Sequence, residues 1–425
     1  MSSRLRSVLF WSILAAAFIG PGTVTTASKA GSNFGLGLLW ALLFSIIATL
    51  VLQEAAARLT LGTGLPLGKI IGRDAKGQTL GWILFVAIAL GCGAYQAGNL
   101  LGALAGLQLL GDYSKWWLLL LGGVATLLLW SGNTKIITRS LAFIVALMGI
   151  VFCWVALGTK TTTSDWMNGL TPVIDDSSAL LVIGLIGTTI VPYNLFLASG
   201  LSKGQNLKEM RFGLLAAILI GGVITLAIIV SGTNVVGEFS FANLGTALDD
   251  RLAGKGKLLL GVGLFSAGLS SAITAPLAAA IAGQSLVGYQ QKKWANNGLY
   301  FRLSWGVVLL AGLFFGLTDI QPIPAIIVAQ AINGVILPLA AVALLLAVNN
   351  HNIMPEGFRN PAWLNILGII IVAITVFLGL HNIWLAVGKV FPAVAEVTQE
   401  IRFTINIIGA IILALVLGWK ILQTS

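Results

Sequence analysis

Apolar runs of roughly twenty residues, the length a helix needs to cross lipid, recur along almost the whole of this 425-residue chain. Twelve can be read, near 10–30, 34–58, 79–111, 115–131, 140–159, 179–200, 212–235, 256–288, 301–318, 322–349, 361–380 and 402–421. Inside a bilayer every backbone amide must find its partner within the chain, so each run is read as a helix. The composition points the same way. Hydrophobic residues make up 57% of the chain and charged residues 9%, against about 25% charged in a soluble domain. Too few charges exist to coat a globule of this size in water. A soluble enzyme, a nucleic-acid-binding protein and a disordered chain are excluded, which leaves an all-α polytopic membrane protein.

The net charge of +10 is a statement about topology. With the N-terminus inside, the segments 1–9, 58–78, 132–139, 201–211, 289–302, 350–360 and 420–425 are cytoplasmic and hold sixteen Lys and Arg residues. The outer segments hold seven, and Lys29 lies within the first span. A bias above two to one under the positive-inside rule places the N-terminus in the cytoplasm, most simply in a prokaryotic inner membrane. Met1-Ser-Ser-Arg-Leu-Arg runs straight into the first apolar segment, so no cleavable leader is expected. Cys92 and Cys153 sit in apolar runs without disulfide or metal-finger spacing. The stretch 381–401 is amphipathic and suits the membrane surface. His351 and His381, the two histidines, are expected in loops.

Two spans carry an interruption. The first reads Gly20-Pro21-Gly22-Thr23, and the sixth reads Gly187-Thr188-Thr189-Ile190-Val191-Pro192-Tyr193-Asn194. Proline lacks an N–H and glycine favours other conformations, so neither stretch holds a continuous helix; unwinding is expected over Pro21–Thr23 and Val191–Tyr193. Simple kinks tolerated by packing are the plain alternative. The spacing argues for more. Each interruption opens a block of five helices, and an odd number makes the second block enter the membrane from the opposite side. Matched breaks in two inverted halves point to a transporter's binding site. The blocks are 1–160 and 179–350, with C-terminal helices in 361–425.

At these residues the chain resembles the natural resistance-associated macrophage protein (Nramp) family of divalent-metal transporters. The family's first helix carries Asp-Pro-Gly-Asn and then Ala-Gly-x-Phe-Gly; here stand Gly20-Pro21-Gly22-Thr23 and Ala30-Gly31-Ser32-Asn33-Phe34-Gly35. Its sixth helix carries Gly-Ala-x-x-Met-Pro-His-Asn-Leu, aligned with Gly187 to Leu195. Ser270-Ser271-Ala272-Ile273-Thr274 looks like its Ser-Ser-x-Ile-Thr, and Gln330 with Leu337-Pro338 also fits. The resemblance covers about 20–350. It implies a LeuT-type fold with two inverted five-helix repeats and one or two extra C-terminal helices.

The departures from the family pattern are chemical. Its metal-binding Asp is Gly20 here, its Asn Thr23, its Met Val191 and its His Tyr193. No carboxylate and no sulfur remains. A thioether is what favours softer ions, so preference for manganese or iron over magnesium is expected to fall away. The family also places two acids one turn apart on the third helix, as a proton path. Gln96 and Asn99 occupy those positions, and amides do not titrate. Glu54 and Arg58, four apart, are expected to form a surface ion pair. Lys29 either snorkels outward or raises the potential of an outer vestibule.

The resemblance therefore implies a secondary transporter for a divalent metal ion, a hard and largely hydrated one such as magnesium or manganese, without proton coupling. Thr23, Thr188, Tyr193, Asn194 and Gln330 could meet the ion's water shell, with Thr23 and Thr188 nearest to ligands. Gly20 and Val191 would widen the site. A carrier of a non-metal solute or anion on the same scaffold is the alternative, since helix N-termini and hydroxyls suit an anion. No enzymatic activity, cofactor or nucleic-acid partner is expected. The partners are the transported ion or solute and membrane lipid, and a monomer is compatible with this reading.

Overall fold

The structure, a computed structural model, describes residues 7, 11, 19–73, 75–132, 135–388, 394 and 397–424. The described residues form helices and no strand. In chain order the main ones are α1 Pro21–Phe34, α2 Leu39–Thr63, α3 Ala75–Gln108, α4 Trp117–Ser131, α5 Lys135–Gly158, α6 Ala179–Thr189 and α7 Pro192–Leu201. They continue as α8 Leu207–Gly232, α9 Phe241–Leu252, α10 Gly256–Leu286, α11 Leu299–Leu317, α12 Pro322–Val348, α13 Ala362–Gly388 and α14 Gln399–Thr424.

Among the described residues, ten helical segments are long and apolar enough to cross a membrane, α6 and α7 counting as one. Two of the twelve expected spans differ. The run at 115–131 yields the 15-residue α4, about 22 Å of helix at 1.5 Å per residue, shorter than a hydrocarbon core of about 30 Å. The first half of the run at 10–30 lies outside the described residues, apart from Trp11. The α6–α7 segment is central, with 89% of its most apolar stretch buried by protein, whereas α14 is peripheral, with 22%. Around that centre α12 packs on α6 and α3, α1 on α8, α6, α12 and α3, and α2 on α7, α8 and α6. The α3–α10 contact is the most extensive in the molecule. It is close because small residues meet there, Ala103 against Gly268, as expected where lipid removes the usual hydrophobic drive between helices.

Two expectations for polar residues are corrected. His381 is no loop residue. It lies fully buried in α13, which runs on to Gly388. Its Nε2 stands 3.3 Å from Asp176 Oδ1, Asp176 also pairs with Arg402 at 2.8 Å, and the rings of Phe377 and Phe403 cover the imidazole. A partnered imidazole can stay inside the helix bundle where a lone one would be expelled. The stretch 381–401 accordingly begins as helix α13, while 389–393 and 395–396 lie outside the described residues. The Glu54–Arg58 pair forms at 3.0 Å, but it is not a surface pair. Arg58 is 1% exposed and also donates to the Phe358 carbonyl and Asn360 Oδ1, and Glu54 takes a second partner in Arg211 at 2.8 Å. The guanidinium's fork of donors is what makes burial tolerable.

Candidate functional site

Both interruptions have the same local cause. Proline disfavours helix in the residue before it, and proline itself suits the first helical position because its missing N–H would be unpaired there anyway. Gly20 is extended (φ −101°, ψ 180°) and α1 starts at Pro21. Ile190 (φ −101°, ψ 75°) and Val191 (φ −79°, ψ 127°) are non-helical, and α7 starts at Pro192. The non-helical residues are therefore Ile190–Val191 between α6 and α7, and Ile19–Gly20 ahead of α1, residues 12–18 lying outside those described; both pairs begin just N-terminal to where unwinding was expected. Pro21–Thr23 and Pro192–Tyr193 are already helix. Each break thus ends on a helix N-terminus, whose free N–H groups carry partial positive charge.

The tertiary structure joins the two. Thr23 on the first turn of α1 and Thr188 at the end of α6 are both buried, and their hydroxyls hydrogen-bond at 2.8 Å. Tyr95 from α3 lies beside Thr188, and its ring meets that of Tyr193 edge-on at 6.2 Å. Gln330 of α12, 1% exposed, closes the group. A Cβ on Gly22 would fall 1.9 Å from the Gln330 Nε2, and one on Gly187 would fall 2.0 Å from the Gln330 carbonyl oxygen. Only glycine at both positions lets α12 lie against both breaks. Gln330 Oε1 has no hydrogen-bond partner among the described residues.

The remaining residues read from the sequence are placed less tightly. Gly20 faces Ser271 of α10, whose Oγ would be 3.2 Å from an added Cβ. Val191 is fully buried at the second break. Asn194 is buried on α7 with neither amide atom paired among the described residues. Gln96 donates to the Ala272 carbonyl at 3.0 Å, which ties α3 to α10 and leaves its Oε1 unpaired. Asn99, three residues on, is 2% exposed with an unpaired Nδ2. Lys29 is half-buried on α1. Sequence reasoning passed over Gly22, Tyr95 and Ser271 as site neighbours. Gly22 and Ser271 stood in motifs used for the family resemblance, but Tyr95 is marked only by adjacency to Gln96.

Chemically the group is neutral. It offers hydroxyls, amides and the carbonyls freed at the breaks, and no cluster of three or more His, Cys, Asp or Glu that could hold a metal ion occurs among the described residues. Such a set cannot offset the cost of stripping a divalent ion of its water, but it can hydrogen-bond the water of an ion that keeps its shell.

A sixth span broken at Ile190–Val191, a helix start at Pro21 packed beside it and long helices around both define a class, the LeuT-type fold. A nucleobase-cation-symport-1 family transporter, Mhp1, shares it at a TM-score of 0.53 and 15% identity, over 98% of this chain and 93% of that one. Within the class, the chain belongs to the natural resistance-associated macrophage protein-like family, whose model matches residues 12–385. It is 26% identical to a divalent metal cation transporter MntH of Klebsiella pneumoniae over 395 residues, 89% of this chain and 92% of that protein. It is 24% identical to the MntH of Deinococcus radiodurans, over 88% and 89%. A manganese transporter of Eremococcus coleocola superposes with a TM-score of 0.72 at 19% identity, over 99% and 94% of the two chains. The ten apolar segments and this membership make the protein a multi-pass integral membrane protein.

Proposed function

We propose that the chain is a secondary transporter for a hard divalent cation, magnesium or manganese, carried with much of its hydration shell and without proton coupling. The observation that carries the reading is the Thr23–Thr188 hydrogen bond, which brings the two helix breaks to one point lined only by neutral oxygen and nitrogen groups. Thr23, Thr188, Tyr193, Asn194 and Gln330 meet the water shell, and Gly20 and Val191 leave room for it. The relatives named above as divalent metal cation and manganese transporters support a metal as cargo. Gln96 and Asn99 support uncoupled transport, because neither changes charge. The halves 1–160 and 179–350 act as inverted repeats around this point, with 361–425 added outside them. The N-terminus is cytoplasmic, in an inner membrane.

The test is uptake of magnesium, manganese and calcium by proteoliposomes, with and without a proton gradient. Magnesium and manganese should enter at comparable rates whether or not the gradient is present. No uptake of any of the three by folded protein would overturn the metal reading. A second reading, a carrier of a small non-metal solute or anion, is favoured by one specific observation: the site has no acid to attract a cation, and a helix N-terminus points into it from each break. Uptake of a small organic acid in place of metal would establish it.

A further inference from the structure

Where the basic loops meet the ends of α3 and α11, a cavity of about 580 Å³ opens, lined by Lys69, Trp82, Phe85, Tyr289, Trp294 and Ser304 among others. Lys69 Nζ stands 5.5 Å from the centre of the Tyr289 ring, and Lys293 Nζ stands 5.5 Å from that of Tyr300. None of Lys69, Lys292, Lys293 and Arg302 has a carboxylate partner among the described residues. Among the described residues, 69–73 and 289–304 together hold five bases, Lys69, Arg73, Lys292, Lys293 and Arg302, and no acid. Helix α11 starts at this rim after Gly298, which has no side chain to cap it, so its positive end adds to the surplus.

The cavity does not stop at its polar floor. Phe85, Leu303 and Ser304 also line a groove of about 930 Å³ that runs between α3, α11 and α12. Its walls are apolar, including Leu90, Gly93, Val307, Ala311 and Val328. A cationic, aromatic-rimmed cavity that continues into an apolar channel matches one kind of molecule, with an anionic head and a hydrocarbon tail. A free anion would leave the groove unused, and a zwitterionic lipid would leave the surplus cations uncompensated. Another apolar groove, about 590 Å³ between Trp40, Phe44, Ile374 and Ile411, has no charged residue in its lining.

We propose that this is a binding site for an anionic glycerophospholipid, its phosphate in the cavity beside Lys69 and an acyl chain along the α3–α11–α12 groove. The leaflet assigned to it, the cytoplasmic one, rests on the orientation proposed above. The binding itself does not, since it can be read in detergent, where sidedness plays no part.

The experiment is native mass spectrometry of the purified full chain titrated with phosphatidylglycerol or with phosphatidylcholine of the same acyl chains. Phosphatidylglycerol should bind at least about fivefold tighter, the effect expected of one basic residue near a lipid headgroup. Lys69→Gln should remove most of that preference and leave phosphatidylcholine binding unchanged, while Lys69→Arg keeps it. Ala311→Phe, which fills the groove, should weaken both lipids. Melting in the absence of lipid checks the fold of each variant. Should Lys69→Gln misfold, the exposed pair Lys292→Gln and Lys293→Gln carries the same charge test. Equal affinities for the two lipids, or a preference that survives these substitutions, would overturn the proposal. Inorganic phosphate displacing the lipid at similar concentration would also overturn it, in favour of a soluble anion.

Discussion

The hydroxyls of Thr23 and Thr188, 165 residues apart in the chain, are 2.8 Å apart in the folded protein and join the first helical turn after one break to the last turn before the other. Removing the Thr23 hydroxyl should cost about 1–3 kcal/mol, because it takes a hydrogen-bond partner from the buried Thr188 hydroxyl. Thr23→Val should therefore leave the protein folded and abolish most transport, while Thr23→Ser retains both. Proteoliposome uptake beside thermal melting separates the two effects. Wild-type uptake by Thr23→Val would remove Thr23 from the site.

The glycines facing Gln330 should differ in what they tolerate. An added Cβ at Gly22 meets the end of a flexible side chain, at Gly187 a backbone carbonyl. Gly22→Ala should cost about 1–3 kcal/mol as an overpacking change, and Gln330→Ala in the same chain should restore most of it. Gly187→Ala should cost more, and the same second substitution should not rescue it. Chemical denaturation of the four variants in detergent gives the comparison.

The expected indifference of the site to soft metals should be reversible. Val191→Met with Gly20→Asp supplies one thioether and one carboxylate at the two breaks. The double variant should bind cadmium at least about tenfold tighter than the parent, because sulfur favours the softer ion. Calorimetry on both proteins decides it, and tight cadmium binding by the parent would contradict the placement of Val191.

Uncoupled transport predicts no proton movement. A pH-sensitive dye inside proteoliposomes should stay constant during metal uptake, because Gln96, Asn99 and Gly20 offer nothing to titrate. Acidification near one proton per metal ion would sink the prediction and direct mutagenesis to Glu54 and Lys29.

Acid should loosen the start of α6. Asp175 Oδ1 accepts hydrogen bonds from Ser177 Oγ at 2.6 Å and from the Ser178 N–H at 2.7 Å. These hold its carboxyl below the ordinary carboxylate range, Ser177 contributing most. A depressed value means that the stabilisation is complete above the unfolded pKa of about 3.9 and is lost as pH falls through the lower folded one. Melting temperature should fall as pH drops below about 4, and Asp175→Asn should lower it at pH 7 while flattening that dependence.

Much of this was legible without coordinates. The spans follow from hydrocarbon thickness, and the interruptions from two prolines set beside glycine or polar residues, which disfavour continuous helix. The lack of charge at Gly20, Thr23 and Val191 themselves is read directly from residue identity. Local rules could not give the register of contact. Nothing near Tyr95 announces that it reaches Thr188, and nothing near Gly187 says that a carbonyl of α12 presses on it. His381 and Arg58 were misjudged for the same reason: their partners, Asp176 with Arg402 and Asn360 with the Phe358 carbonyl, come from distant segments. A charge or imidazole can be buried only where such partners converge, and convergence depends on how the helices pack. The sequence by itself determined that this is a membrane-spanning helical protein with two proline-marked interruptions. The tertiary structure alone decided which polar groups meet, because in lipid, where apolar surface gains little from facing protein, helix register depends on close contact between small residues and on polar pairs.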